Sequence, residues 1–151
     1  MTPIAIWLPI ARSPAKFILH PSVALAWSFL GPATMYTTAV LCRMPLTVPA
    51  VPTCWSCQIA EAFLAAELRG AGTRAQVDYF LGGLHSFQFS IDGAMSARAW
   101  SHILPLARTH SLSVSDAAYL ELALRQNLPL ATTNANLTRA AVSVGVMPFT
   151  P

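Results

Sequence analysis

"SVSDAAYLELALRQNLPLATTN", residues 113–134, decides how this chain is read. A helix capped by Ser115 opens at the carboxylate Asp116 and runs through "DAAYLELALRQN". A proline-led apolar strand, "PLATT", follows at once and ends in polar residues at Asn134. Asp116 therefore has two readings, a helix cap or a member of a site at the end of a sheet.

Working outward, "KFILH" (16–20) is a short apolar strand. "SVALAWSFL" (22–30) is a helix that Ser22 caps and Gly31-Pro32 ends. "ATMYTTAVLCRM" (33–44) is helical in pattern, and "LTVPAVP" (46–52) is a strand closed by prolines. The clearest amphipathic helix is "WSCQIAEAFLAAELR" (55–69), with Ile59, Phe63 and Ala66 on one face and Gly70 as its stop. Thr73 caps "RAQVDYFLGGLH" (74–85), and "FQFSI" (87–91) alternates like a strand. "AMSARAWSHILPLARTH" (94–110) is a helix that Pro105 kinks or breaks. A short helix (135–145) and a last strand, "VMPF" (146–149), complete the order. Strands separated by one or two helices predict an α/β domain, three layers α/β/α, around a mainly parallel sheet. Ligands of such sheets bind at the carboxyl ends of the strands. The residues expected there are His20, Gln58, Ser115, Asp116, Thr132 and Asn134.

At 151 residues the chain suits one domain over residues 16–151, preceded by an extension, residues 1–15. Only 10% of residues are charged and 54% are apolar, against about 25% charged in an average soluble domain. So little charge predicts that part of the surface meets another chain, a homodimer or an obligate partner. The net charge of +3 comes almost wholly from arginine, which suits phosphate and so permits nucleic acid as a partner. The N-terminal "MTPIAIWLPIARSPAKF" is too short to span a bilayer and has no basic leader, so a cytoplasmic protein away from membranes is expected.

Cys54 and Cys57 form a C-x-x-C at a helix start, with Cys42 as the third cysteine. Redox proteins use that spacing, yet no thioredoxin-like order surrounds it and no second ligand pair exists for zinc. Buried small hydrophobes are the expected role. Trp27, Trp55 and Trp100 are expected in the core or an interface, Trp7 in the extension as a docking residue. His85, His102 and His110 are expected at the surface or its boundary, and Glu121 on a solvated or interface face.

Three segments, in order, carry a resemblance. "LSVSDAAYLELALRQNLPLATTN" resembles a D-A-A-Y-L-E-L-A helix followed by a leucine-proline strand and T-x-D. "FILHPSVALAW" resembles an opening strand followed by D-A-S-V-A-L-A-W. "VPAVPTCWSCQIAEAFLAAELRGAGTRAQ" resembles a segment with E-V-A-N and a helix ending R-R-G. Together they make residues 17–149 similar to a PIN domain of the VapC toxin family. The resemblance implies a Mg²⁺- or Mn²⁺-dependent endoribonuclease that hydrolyses RNA phosphodiesters and is held by a VapB-like antitoxin. The family's four acids fall at His20, Gln58, Asp116 and Asn134, so Asp116 alone keeps its charge.

That departure sets the functional expectation. Hard divalent cations need carboxylate oxygen, and one unit-charge contact at 4 Å is worth about 4 kcal/mol at an effective dielectric of about 20. Three neutralised positions predict impaired hydrolysis, with Asp116 as the remaining catalytic and metal residue and Ser22, Ser115 and Thr132 in support. A second metal reading joins His20, Glu61 and Asp116 into a site of one imidazole and two carboxylates, suited to Mn²⁺, Fe²⁺ or Zn²⁺. The alternative to an impaired nuclease is a catalytically inactive PIN-fold protein kept for binding or dimerisation, or a decayed toxin.

Overall fold

Short apolar strands are what a sheet covered on both faces requires, and three of them, with a more polar edge strand, form the centre of this molecule. The computed structural model describes residues 17–151, so the expected extension, with Trp7, lies outside the described residues. In chain order the elements are β1 Ile18–Leu19, α1 Pro21–Leu25, α2 Met35–Arg43 and a 3-10 turn at Met44–Leu46. Next come β2 Ala50–Pro52, α3 Trp55–Leu68, α4 Arg74–Leu84, β3 Ser90–Asp92 and α5 Met95–Arg98. A π-helical turn at Ala99–Ile103, α6 Leu104–His110, α7 Val114–Gln126, β4 Leu130–Ala131 and α8 Ala135–Ser143 follow. The strands lie in the order β3-β2-β1-β4 and every pair is parallel, with Ile18 between Ala50 and Leu130. Helices flank this sheet, so the fold is a three-layer α/β/α domain, as the residue pattern predicts.

The central strands are sealed and the edge is not. Ile18 and Leu19 of β1 have no exposed surface, whereas Ile91 of β3 is 63% exposed. Helix α7 packs on β1, β2 and β4 and is buried from Ala117 through Ala123. Phe63 of α3, with Ile59 and Ala66 beside it, enters the core between Phe29 and Phe80. Helix α3 ends where Gly70 adopts a left-handed φ of 69°, a conformation that costs glycine little.

Several expectations need correction. The cap of α7 is Ser113, whose Oγ accepts the Asp116 N–H at 3.0 Å; Ser115 lies inside the first turn. His20, rather than Ser22, caps α1, because its ring sits over the Ser22 N–H, and α1 is a single turn with further turns behind it. Pro105 neither breaks nor ends the helical path. A π-helical turn, Ala99–Ile103, lies just before it, an irregularity in the ladder of the kind at which helices bend. "VMPF" supplies only a bridge, Pro148 beside Leu130, since a proline has no ladder donor. Trp55 is buried and Trp27 half-buried with its indole N–H on Thr37 O; Trp100 is 88% exposed, so of the core and interface readings only the interface remains for it.

Glu121 is 4% exposed, not solvated. Arg98 Nε and Arg125 Nε both donate to its Oε1. Arg125 then grips Asp92 at the end of β3 with two parallel bonds of 3.0 and 2.8 Å. Two guanidinium groups thus balance two carboxylates and tie α5, α7 and the edge strand together. The Arg125 bonds, ahead of all else, hold the Asp92 carboxyl below its usual range.

Candidate functional site

The chain order places a site before any side chain is considered. From β1 the chain steps to β2 and β3 on one side, then returns to lay β4 against the other side of β1. This reversal opens a crevice at the carboxyl ends of β1 and β4, the usual ligand position in open parallel sheets. Helices α1, α3 and α8 begin at that edge, each just after a strand, and the start of α7, which follows α6, brings Asp116 to it. Residues in their first turns, or just before them, converge.

Asp116 is the hub. His20 Nε2 lies 3.0 Å from Asp116 Oδ1, and Asn134 Nδ2 donates to Asp116 Oδ2 at 3.1 Å. The other His20 nitrogen, Nδ1, accepts the Ser22 N–H at 3.2 Å and faces Ser22 Oγ at 2.9 Å. A nitrogen that accepts a backbone N–H carries no proton, so the ring proton sits on Nε2 and points at the carboxylate. Ser22 Oγ accepts the Thr133 N–H at 3.0 Å and lies 3.4 Å from Thr132 Oγ1, joining α1 to the end of β4. His20 is 6% exposed and the Asp116 side chain 21%. The His20 hydrogen bond, aided by Ser113 and Asn134 and opposed by burial, holds the Asp116 carboxyl below its usual range.

Asn134 has two duties that fix its orientation. Its Oδ1 accepts the Asn136 and Leu137 N–H groups at 3.0 and 3.1 Å, capping α8, which leaves Nδ2 for Asp116. An aspartate here would cap equally well but would set a second carboxylate against the first. Asparagine removes that repulsion and supplies a donor.

Gln58 approaches from α3 without reaching Asp116. Its Oε1 accepts the Tyr119 hydroxyl at 2.5 Å and faces Cys54 Sγ at 3.5 Å. Tyr119 is fully buried and meets the His20 ring edge-on, with centroids 4.7 Å apart. Burial pushes the Tyr119 hydroxyl far up, so it remains a donor, and burial likewise raises the Cys54 thiol. Cys57 and Cys42 are exposed thiols. Glu61 is exposed on α3, and among the described residues no group of three His, Cys, Asp or Glu side chains gathers as a metal site. The structure thus brings together His20, Ser22, Asp116, Thr132 and Asn134, sets Gln58 one residue away through Tyr119, and leaves Ser115 and Glu61 aside. Tyr119 and Ser113 escaped the sequence reading, although each lies three residues from Asp116 and so on its helical face.

The donor set does not fit Mg²⁺ or Mn²⁺. Such ions take a near-octahedral array of oxygens anchored by carboxylates that are free to bind them. Here one carboxylate is present, and each of its oxygens already accepts an N–H. The arrangement is a hydrogen-bond network of neutral donors around a single formal negative charge.

Neither family models nor curated proteins match this chain. Among solved structures, PAE2754 from Pyrobaculum aerophilum is similar in fold, with a TM-score of 0.60 at 18% identity over 83% of this chain and 84% of that one. Similarity at that identity speaks to architecture, and function has to be argued from the site. No helix among the described residues is long and apolar enough to cross a membrane.

Proposed function

We propose that this chain is a VapC-like PIN-domain protein of a toxin–antitoxin system, cytoplasmic and dimeric, in which the metal-dependent RNA hydrolysis of its family is impaired. One observation carries the reading. At the carboxyl edge, where the resemblance calls for a ring of acids, Asp116 stands among His20 and Asn134, each hydrogen-bonded to one of its oxygens. Gln58 occupies the remaining family position and keeps only the shape of a glutamate. On this reading one negative charge, Asp116, is left where a divalent cation would need more. A VapB-like antitoxin and RNA are the partners this reading implies.

The test restores the charge. The triple variant His20→Asp, Gln58→Glu and Asn134→Asp should cleave single-stranded RNA with Mg²⁺ stimulation and arrest growth on expression. Single reversions should recover little, because residues acting as a unit are not additive. Cleavage by the unmodified protein as fast as by the triple variant would sink the proposal. A second reading, a silent PIN-fold protein kept for binding or dimerisation, is favoured by the completeness of the network: every polar atom of Asp116 and Asn134 named above has a partner. A triple variant that folds, binds Mn²⁺ and still leaves RNA intact would select it.

A further inference from the structure

Beside the Asp116 crevice, between the α6–α7 turn and one face of α8, lies a second cavity of about 390 Å³. It is lined by His110, Ser111, Asn136, Arg139, Ala140 and Ser143. The α8 members recur at helical spacing and form one face, opposed by the end of α6. No carboxylate belongs to this lining, in contrast to the Glu121 cluster, where each guanidinium is matched by an acid. Arg139 has no acidic partner among the described residues. Its Nη2 donates to Asn136 Oδ1, which steadies the guanidinium at the cavity wall and fixes the Asn136 amide with Nδ2 left as a donor. Ser143 donates its own proton to Ala140 O, so the donors left for a ligand belong to Arg139, Asn136, Ser111 and His110. A cavity that holds one permanent cation, Arg139, with polar donors around it and no carboxylate in its lining favours an anion.

We infer that this cavity is a phosphate subsite for the backbone of single-stranded RNA, next to the Asp116 crevice. The ligand's identity rests on the RNA-directed reading above; the anion chemistry rests on the cavity alone. Continuity supports the assignment. Asn134, which donates to Asp116, also caps the Asn136 N–H, and Arg139 follows about 7–8 Å further along the α8 axis. A polymer with a charge at every nucleotide would span both places, whereas a small anion would meet only one. The subsite contributes affinity and register, without reading bases.

The experiment uses the full chain and a short fluorescein-labelled single-stranded RNA of mixed sequence, followed by anisotropy across a salt series. Arg139→Gln should weaken binding roughly tenfold and reduce the slope of log affinity against log salt by about 0.7, one phosphate contact on a single strand. His110→Gln should weaken it several-fold. Arg74→Gln, at an exposed pair with Asp78 on α4, should leave binding unchanged. Equal affinities for Arg139→Gln, His110→Gln and Arg74→Gln would overturn the subsite, as would failure of the unmodified protein to bind this RNA. Adding Arg139→Gln to the triple revertant separates the two proposals. Cleavage that ignores Arg139 overturns the subsite and leaves the RNA-cleaving ancestry standing. Binding that needs Arg139 in a revertant that never cleaves does the opposite.

Discussion

Asp116 and Glu121 stand on the same helix, α7, in opposite surroundings. Glu121 is almost fully buried and faces two arginines, one of which also clasps Asp92. Asp116 lies in a crevice at the sheet's carboxyl edge, and its partners are an imidazole N–H and an amide. Charge meets charge in one cluster; in the other a lone charge meets neutral donors. A buried carboxylate must be neutralised or bonded to persist, and α7 shows both solutions. The difference separates structure from function. A balanced ion cluster has nothing left to offer a ligand, while the Asp116 network retains one negative charge at a position where this type of sheet binds ligands.

The largest test of that contrast removes Glu121. Glu121→Ala leaves Arg98 without its carboxylate and Arg125 with Asp92 alone, and should cost about 3 kcal/mol in urea denaturation, the lower end for breaking a buried pair because both arginines keep some exposure. A loss under about 1 kcal/mol would show that the arginines find water equally well and that the cluster is not a structural tie.

Next comes the triple reversion, read as stability. Without divalent cations, extra carboxylates beside Asp116 should lower stability by about 2 kcal/mol, since like charges at about 4 Å repel strongly in a half-buried crevice. Millimolar Mg²⁺ or Mn²⁺ should restore the melting temperature of this variant through binding linkage and leave the unmodified protein's in place. An unmodified protein that gains as much from the cation would mean that the neutral network ligates metal after all.

Asn134→Ala should cost about 1.5 kcal/mol, because one substitution removes the α8 cap and a donor to Asp116. Asn134→Ser should regain the capping part alone. Equal losses in the two variants would show that the bond to Asp116 dominates.

The smallest effect is in the pH profile. Asp116 and Asp92 are both held below the ordinary aspartate value of 3.8 in the folded chain, by His20 and Arg125 respectively. A depressed folded pKa gives stability that is full above the unfolded value and is lost as pH falls through the folded one. Acid titration of stability should therefore steepen below about pH 4, and Asp116→Asn and Asp92→Asn should each flatten it. A slope unchanged by Asp116→Asn would mean that the His20 bond adds nothing to the charged form.

Much of the fold was readable along the chain, and the reasons are local. The places of β1, β2 and β4 followed from short apolar runs beside proline, and α3 from Ile59, Phe63 and Ala66 at helical spacing; β3, expected over 87–91 from alternation, falls at Ser90–Asp92. Thr73 caps α4 through a reciprocal pair with Gln76 that spacing alone announces. Caps with two serines within reach misled, since Ser113 and Ser115 are equally good on paper and only backbone geometry chose the first. Trp100, expected in the core or an interface, lies in the π turn and is exposed in this chain, which removes the core and leaves the interface.

The site divides in the same way. That Asp116, His20 and Asn134 belong at one sheet edge follows from their places at the ends of strands and the starts of helices, which topology makes neighbours. The pairing of each Asp116 oxygen with its own donor does not, nor do the tautomer of His20, the double duty of Asn134 or the burial of Glu121. Spacing along one chain carries periodicity and charge. Hydrogen-bond direction and desolvation arise only where segments 96 residues apart, as His20 and Asp116 are, come within 3.0 Å.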